Sequence, residues 1–396
     1  MRALVGVMAC MACMAAPASA EPLVFYKKVS GWVALDGATA NQQFSDRRSV
    51  LGARGHLDAQ LSVNNRRAMV RIELPSNDNL GDNTRTTAVR ELWLRQSGER
   101  LDLTAGRQFL PEGRSDWLRP QGQFAPRDYT QLTAVAAEQR IGLPALRLDW
   151  YATDTATLIL AGLRQDRGDL LPSAMVAPLP EDRPLQRSPK DAALARAEWR
   201  RGAWELGASY LDGAALYPVL KRNGEVSIYD QRRLAADGSV NLDGDILRWD
   251  VAYVINDASA FPGVPGKESW LSLGLDKGVW SDGTLSLQLL HHRAVLPAEG
   301  EPLLEAYNQR LSQNFRDAQS WITVNLRQQF DAKHDAEWGH LQGTAGERVS
   351  FLRYGWGFRD GWRWTLQGQA AHGSLDSLAG NLSPDKSLLT ELRHFY

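Results

Sequence analysis

Apolar side chains in this chain recur at every second residue, stretch after stretch. Leu51, Ala53, Leu57, Ala59, Leu61 and Val63 alternate with Gly52, Arg54, His56, Asp58 and Gln60. Val70, Ile72 and Leu74 alternate with Met69, Arg71 and Glu73. Leu247, Trp249, Val251, Tyr253 and Ile255 alternate with Arg248 and Asp250, and Trp362, Trp364 and Leu366 with Arg363, Thr365 and Gln367. Successive side chains of a strand point to opposite faces, so a period of two describes a sheet with one apolar and one polar face. Helical spacing is rarely sustained, and no later run reaches the roughly 18 apolar residues of a membrane-spanning helix. An all-β chain is expected.

The first twenty residues stand apart. Arg2 gives a positive start, residues 3–16 are apolar throughout, and Pro17-Ala18-Ser19-Ala20 supplies a small-x-small cleavage site. The apolar part is too short to cross a bilayer as a helix. Segment 1–20 is expected to be a secretory signal peptide, leaving 21–396 as one domain. A lipoprotein cut before Cys10 or Cys13 is the rival reading, but Met8 and Met11 stand where small residues are wanted. Both cysteines of the chain lie in this segment, so disulfide staples, thiolate zinc sites and thiol catalysis are excluded downstream of it. With 45 basic and 46 acidic side chains, net charge −1, neither a polybasic nucleic-acid binder nor an acidic tail describes the chain.

Eighteen segments carry strand patterning, from 29–36 to 386–396, most of them about the length needed to cross a membrane at a tilt. The count falls to sixteen if the weakly patterned segments 224–234 and 335–344 are not strands. Short connections with turn residues, such as Asn64-Asn65, Ser97-Gly98, Arg201-Gly202, Asp282-Gly283 and Asp360-Gly361, alternate with long ones at 75–85, 109–136, 165–190, 256–267, 293–317 and 373–385. One short-looped side and one long-looped side is the construction of bacterial outer-membrane barrels. A soluble sandwich would turn the apolar face inward, a membrane barrel outward. Closure removes every sheet edge, which hydrocarbon requires. Charges at mid-strand, costing about 2–4 kcal/mol against lipid, then belong in the lumen. The expected fold is a transmembrane antiparallel up-and-down β-barrel, located in the bacterial outer membrane.

Each part of such a barrel has candidate residues. The pore lining that would select anions is Arg54, His56, Arg71, Arg147, Arg196, Arg248, Arg327, Arg353 and Arg363, beside the acids Asp58, Glu73, Asp149, Glu198 and Asp250. Guanidinium groups suit carboxylate-bearing solutes; lumen ladders that only stiffen the wall are the other reading. Aromatics near strand ends form the interface girdle: Trp150, Tyr151, Trp199, Trp204, Tyr210, Trp280, Trp356, Trp362 and Trp364. Loop 109–136 is long for a structureless connection. Folded inward it would constrict the lumen with Arg114, Asp116, Arg119, Arg127 and Asp128; outside, its own ion pairs would hold it. Gly106 suits a bulge or close backbone approach. The partners expected are outer-membrane lipid and the barrel-insertion machinery. The C-terminal strand, ending on Phe395-Tyr396, resembles the signal by which that machinery recognises its clients.

Segment 86–129 carries Arg90-Glu91-Leu92-Trp93-Leu94-Arg95, then Leu101 to Gln108 with Gly106-Arg107-Gln108. Gly113-Arg114-Ser115-Asp116 and Pro126-Arg127-Asp128-Tyr129 follow. This resembles outer-membrane barrels of the alginate-export type and their uncharacterised relatives. The resemblance implies an 18-stranded monomeric barrel whose Arg-rich pore passes an acidic polysaccharide outward.

Phosphate-loop, H-E-x-x-H and G-x-S-x-G patterns are missing. No catalytic residue, metal or cofactor is assigned, and no nucleic-acid partner is expected. The functional expectation is a porin-like channel or polysaccharide-export pore for a polar, anionic solute such as an acidic saccharide. The alternatives are a plugged barrel anchoring surface polysaccharide and an outer-membrane hydrolase.

Overall fold

The computed structural model describes residues 25–40, 49–74, 88–111, 113–115, 126–128, 136–166, 168–169, 190–217, 219–223, 225–296, 301–312, 317–373 and 386–396. The expected signal peptide and the loop candidates Asp116 and Arg119 lie outside them.

Eighteen strands form one antiparallel sheet that closes on itself. In chain order they begin with β1 (Phe25–Ala40), β2 (Ser49–Val63), β3 (Arg66–Leu74), β4 (Ala88–Ser97) and β5 (Leu101–Gln108). A 3-10 turn at Ala136–Gln139 precedes β6 (Leu143–Tyr151), β7 (Ala156–Gln165), β8 (Lys190–Arg201) and β9 (Trp204–Ala214). A small separate hairpin, β10 (Val219–Leu220) with β11 (Val226–Ser227), leads to β12 (Asp230–Leu242), β13 (Asp245–Asn256), β14 (Lys267–Trp280) and β15 (Gly283–Val295). Helix α1 (Pro302–Ser312) precedes β16 (Ala318–Gln329), β17 (His334–Gly343), β18 (Arg348–Arg359), β19 (Trp362–His372) and β20 (Lys386–Phe395). Each wall strand pairs with the next, and β12 pairs with β9 across the small hairpin. The seam joins β20 to β1, from Trp32 opposite Phe395 to Ala40 opposite Ser387.

The two faces are reversed relative to a soluble protein. Leu35, Leu51, Leu146, Leu234, Ile322 and Leu352 stand exposed on the outside, while Asp237, Asp250, Arg196 and Glu73 are buried within. No helix is long and apolar enough to cross a membrane; this chain crosses with strands. Closure satisfies the backbone of every wall strand from its neighbours, and the exposed leucines face acyl chains.

Residues in the left-handed region stand at the short turns: Asn64, Gly202, Asp243, Gly244, Asp282 and Gly361 all have positive φ, as tight hairpins need. At the turn before β17, Asp331 accepts hydrogen bonds from the backbone N–H groups of Lys333 and His334. Those donors hold its carboxyl below the usual range.

Three departures from the sequence expectation have physical causes. The weak strand at 224–234 lies further along, at 230–242, because the Arg232-Arg233 and Ala235-Ala236 pairs blur its alternation and the true turn is Asp243-Gly244. The segment expected as strand 137–151 is a 3-10 turn until Gln139 and becomes strand at Leu143. Tyr151 does not join the girdle: it faces the lumen and donates to Asp102 Oδ2 at 3.0 Å.

Gly106 marks a close approach. Its φ is +125°, and a Cβ there would fall 2.2 Å from the Leu92 carbonyl oxygen across β4. Gly106→Ala should therefore destabilise the barrel by about 1–3 kcal/mol. Gly162→Ala should not, since Gly162 has nothing within 4 Å of that position. The unfolding temperature read from heat-modifiable electrophoretic mobility checks both.

Candidate functional site

The connection between β5 and β6 enters the barrel. Its described parts touch lumen-facing residues on two opposed sectors of the wall. On one side, Arg114 pairs with Asp237 of β12 and with Glu205 of β9 at 3.2 Å. Ser115 donates its backbone N–H to Asp250 Oδ2 at 2.6 Å, and its hydroxyl lies 3.0 Å from that of Ser272. Asp237, Asp250 and Ser272 all sit near the middle of their strands, so the loop tip is fixed at mid-depth. Asp237 and Asp250 are direct cross-strand partners. Like charges so placed repel, and here Arg196 answers them, with both nitrogens on Asp237 at 2.7 and 3.0 Å, together with Arg114.

The other side is built from residues on β20, β1, β2, β3 and β4. Arg54 donates to Asp36 at 2.7 and 3.0 Å, to Glu391, and to Glu138 of the 3-10 turn at 3.0 Å. Arg393 reaches the other oxygen of Glu138 at 2.7 Å and lies 3.8 Å above the Trp32 ring. Arg90 pairs with Glu73 and with Asp128 of the loop at 3.2 Å. Arg90 and Glu91 are adjacent in sequence, yet both reach lumen groups: Arg71 donates to Glu91 at 2.8 Å. The register shift opposite Arg71 and Ile72 is a bulge that turns both side chains inward.

The predicted residues separate into two groups. Arg54 and Arg196 lie on the lumen face but keep only 2% of their side chains exposed. They hold the loop and the wall rather than border open space. His56 stacks on Trp32 and pairs with Asp58 at 3.0 Å, Arg71 shares Asp58, and Arg147 donates to Asp149 at 2.6 Å. Arg127, expected in the constriction loop, donates its backbone N–H to Asp169 at 2.8 Å. The second group stands on the wall the loop leaves uncovered. Arg248 pairs with Asp276, Arg353 and Arg327 share Glu337, and Arg363 pairs with Asp335. A cleft between the loop tip and this wall is lined by Ser115, Arg248, Asp276, Gln288, Thr323 and Asn325. The four guanidinium groups of this wall thus meet Asp276, Glu337 and Asp335.

Trp150, Trp204 and Trp356 are exposed outside the barrel beside short turns, with Trp362 and Trp364 half-buried near them. The contacts that sequence patterning missed are those of Asp36, Glu138, Asp237, Glu391 and Arg393. Glu138 lies in a segment taken as strand, and Asp237 in the misplaced β12. Asp36, Glu391 and Arg393 do keep the lumen-facing parity of their strands, the one signal available for them. Among the described residues, no group of three or more His, Cys, Asp or Glu side chains is arranged to hold a metal ion.

Asp250 is the loop tip's main acceptor. Its loss should free the tip. A cysteine at Ser115 should react with a water-soluble thiol reagent about ten times faster when Asp250→Ala accompanies it than alone, as a labelling time course would show.

No protein-family model matches the sequence, and no curated protein matches it. Solved structures do resemble it. OccK11 (OpdR) of Pseudomonas aeruginosa superposes with a TM-score of 0.58 at 12% identity, covering 93% of this chain and 95% of that one. OccAB3 of Acinetobacter baumannii gives 0.58 at 9% identity, covering 94% and 99%. OccAB2 of the same organism gives 0.57 at 10%, covering 93% and 98%. The likeness is one of fold: the closed antiparallel barrel of bacterial outer-membrane proteins.

Proposed function

We propose that this chain is a passive outer-membrane channel for polar, anionic solutes, an acidic saccharide being the class that fits best. One observation carries the reading. The inward loop is fastened to two opposed wall sectors, at mid-depth on the Asp237–Asp250 side, which confines passage to the uncovered wall, and that wall carries Arg248, Arg327, Arg353 and Arg363. A solute carboxylate meeting that wall finds guanidinium donors in the fork geometry that binds it bidentately.

Two further points support it. The fold is shared with OccK11 and the OccAB structures over nearly the full chain. The segment that resembles alginate-export barrels, from Arg90-Glu91 through Gly106 to Arg114-Ser115, supplies the bulge, the close strand approach and the loop tip of the constriction. An acidic polymer suits a conduit with several guanidinium groups spaced along it. A plugged barrel that anchors polysaccharide draws on the same inward loop, but gives the uncovered wall no task.

Planar-bilayer recording tests the reading. The purified chain should conduct, with a reversal potential in a salt gradient that favours anions. Arg248→Glu with Arg353→Glu should turn that preference toward cations. A silent bilayer favours the plugged anchor, and unchanged selectivity in the double variant overturns the guanidinium wall.

A further inference from the structure

The lumen arginines described above are each paired with a carboxylate. A belt on the outside of the barrel is not. At the long-loop rim of β14 to β20, strand register puts Lys267, Arg293 and Arg348 on the lipid-facing side. Arg293 stands opposite Ser269, two residues from Lys267 on the same face, and Arg348 stands opposite His372. All three cations are exposed, and among the described residues none has a carboxylate partner. The acids of these seven strands are Glu268, Asp276, Asp335, Glu337 and Glu391, and every one faces the lumen. Elsewhere on the same rim three cations are paired: Arg107 with Asp166, Lys190 with Asp230, and Arg164 with Asp191 at 4.0 Å.

A repeated device lies within this belt. His291 on β15 meets the Ser320 hydroxyl of β16 through Nδ1 at 2.8 Å, and His340 on β17 meets Ser350 of β18 in the same way at 2.8 Å. Both histidines take the outward parity of their strands. In the tautomer where each serine hydroxyl donates to Nδ1, Nε2 carries the proton and is left as a donor. Below these groups the same faces continue as Leu271, Leu273, Leu289, Ile322 and Leu352, all exposed. A ligand that meets both needs acyl chains and an anionic oxygen-rich head.

We propose that this belt binds the phosphate groups of a phosphorylated glycolipid in the leaflet on the long-loop side. Guanidinium and ammonium groups, with imidazole N–H donors between them, suit phosphate oxygens. From Lys267 on β14 to Arg348 on β18 the belt spans four inter-strand steps of about 4.8 Å, about 19 Å in all, enough to span the spaced phosphates of one headgroup or to seat neighbouring lipids. The opposite rim, with Trp150, Trp204 and Trp356, offers rings instead. The proposal goes beyond the channel reading, since a barrel that conducts nothing would carry the same belt.

The test uses the full mature chain in detergent, titrated with a bis-phosphorylated diglucosamine lipid and with its phosphate-free form. The wild type should bind the phosphorylated lipid at least ten times more tightly than the phosphate-free one. The triple variant Lys267→Gln, Arg293→Gln, Arg348→Gln should lose that difference while keeping wild-type heat-modifiable mobility and conductance. Lys27→Gln with Arg201→Gln, at the other rim, should keep it. Equal binding by wild type and triple variant, no effect of removing the phosphates, or equally tight binding of phosphatidylglycerol or inorganic pyrophosphate would overturn the proposal.

Discussion

Backbone hydrogen bonding in hydrocarbon is the constraint from which the rest of this molecule follows. Each peptide group left unpaired in lipid costs several kcal/mol, so a chain that crosses with strands has to leave no edge. Pairing of β20 with β1 meets that demand. Once the sheet is closed, side chains have only two places to go. Leucine, isoleucine and tryptophan go outward to lipid, and the charged residues are committed to a narrow interior where bulk water cannot screen them fully.

That commitment explains the interior chemistry. An unpaired charge at low dielectric is costly, and breaking a buried pair leaves its partner stranded. Arg54 accordingly has three carboxylate partners, and Asp237 two guanidinium partners. The inward loop supplies several of the missing members, Arg114 to one side of the barrel and Glu138 and Asp128 to the other. The wall also makes room by omission. A Cβ on Gly207 would fall 2.4 Å from an Arg196 nitrogen, so only glycine lets that guanidinium lie along the sheet toward Asp237.

Much of the architecture is legible in the alternation itself, because a strand's two faces are written residue by residue. Segment 335–344 was weakly patterned yet is strand β17, since Trp338 outside and Glu337 inside are enough when both neighbours pair with it. Legibility fails where the period breaks. The bulge at Arg90 puts consecutive residues on one side, a placement that strict alternation forbids. The loop's attachment was legible in its members but not in its partners: Arg114 and Asp128 stand out as charges in a long connection, whereas Asp237 lies more than a hundred residues further on. Which arginines border open space depends on what covers them. Arg54 and Arg353 look alike in sequence, and only the folded loop distinguishes them.

The facing carboxylates Asp237 and Asp250 bear on how such a molecule assembles. Zipping β12 to β13 brings two negative charges into direct opposition, so the register that the hairpin Asp243-Gly244 dictates is disfavoured until a cation arrives. Arg196 and Arg114 both precede these strands in the polypeptide and are already made when they pair. The constriction is thus also an assembly jig: Arg114 and Arg196, both in the first half of the chain, carry the counter-charge that lets β12 and β13 adopt their alignment, and a barrel stripped of its inner loop would lose part of the template for its own wall.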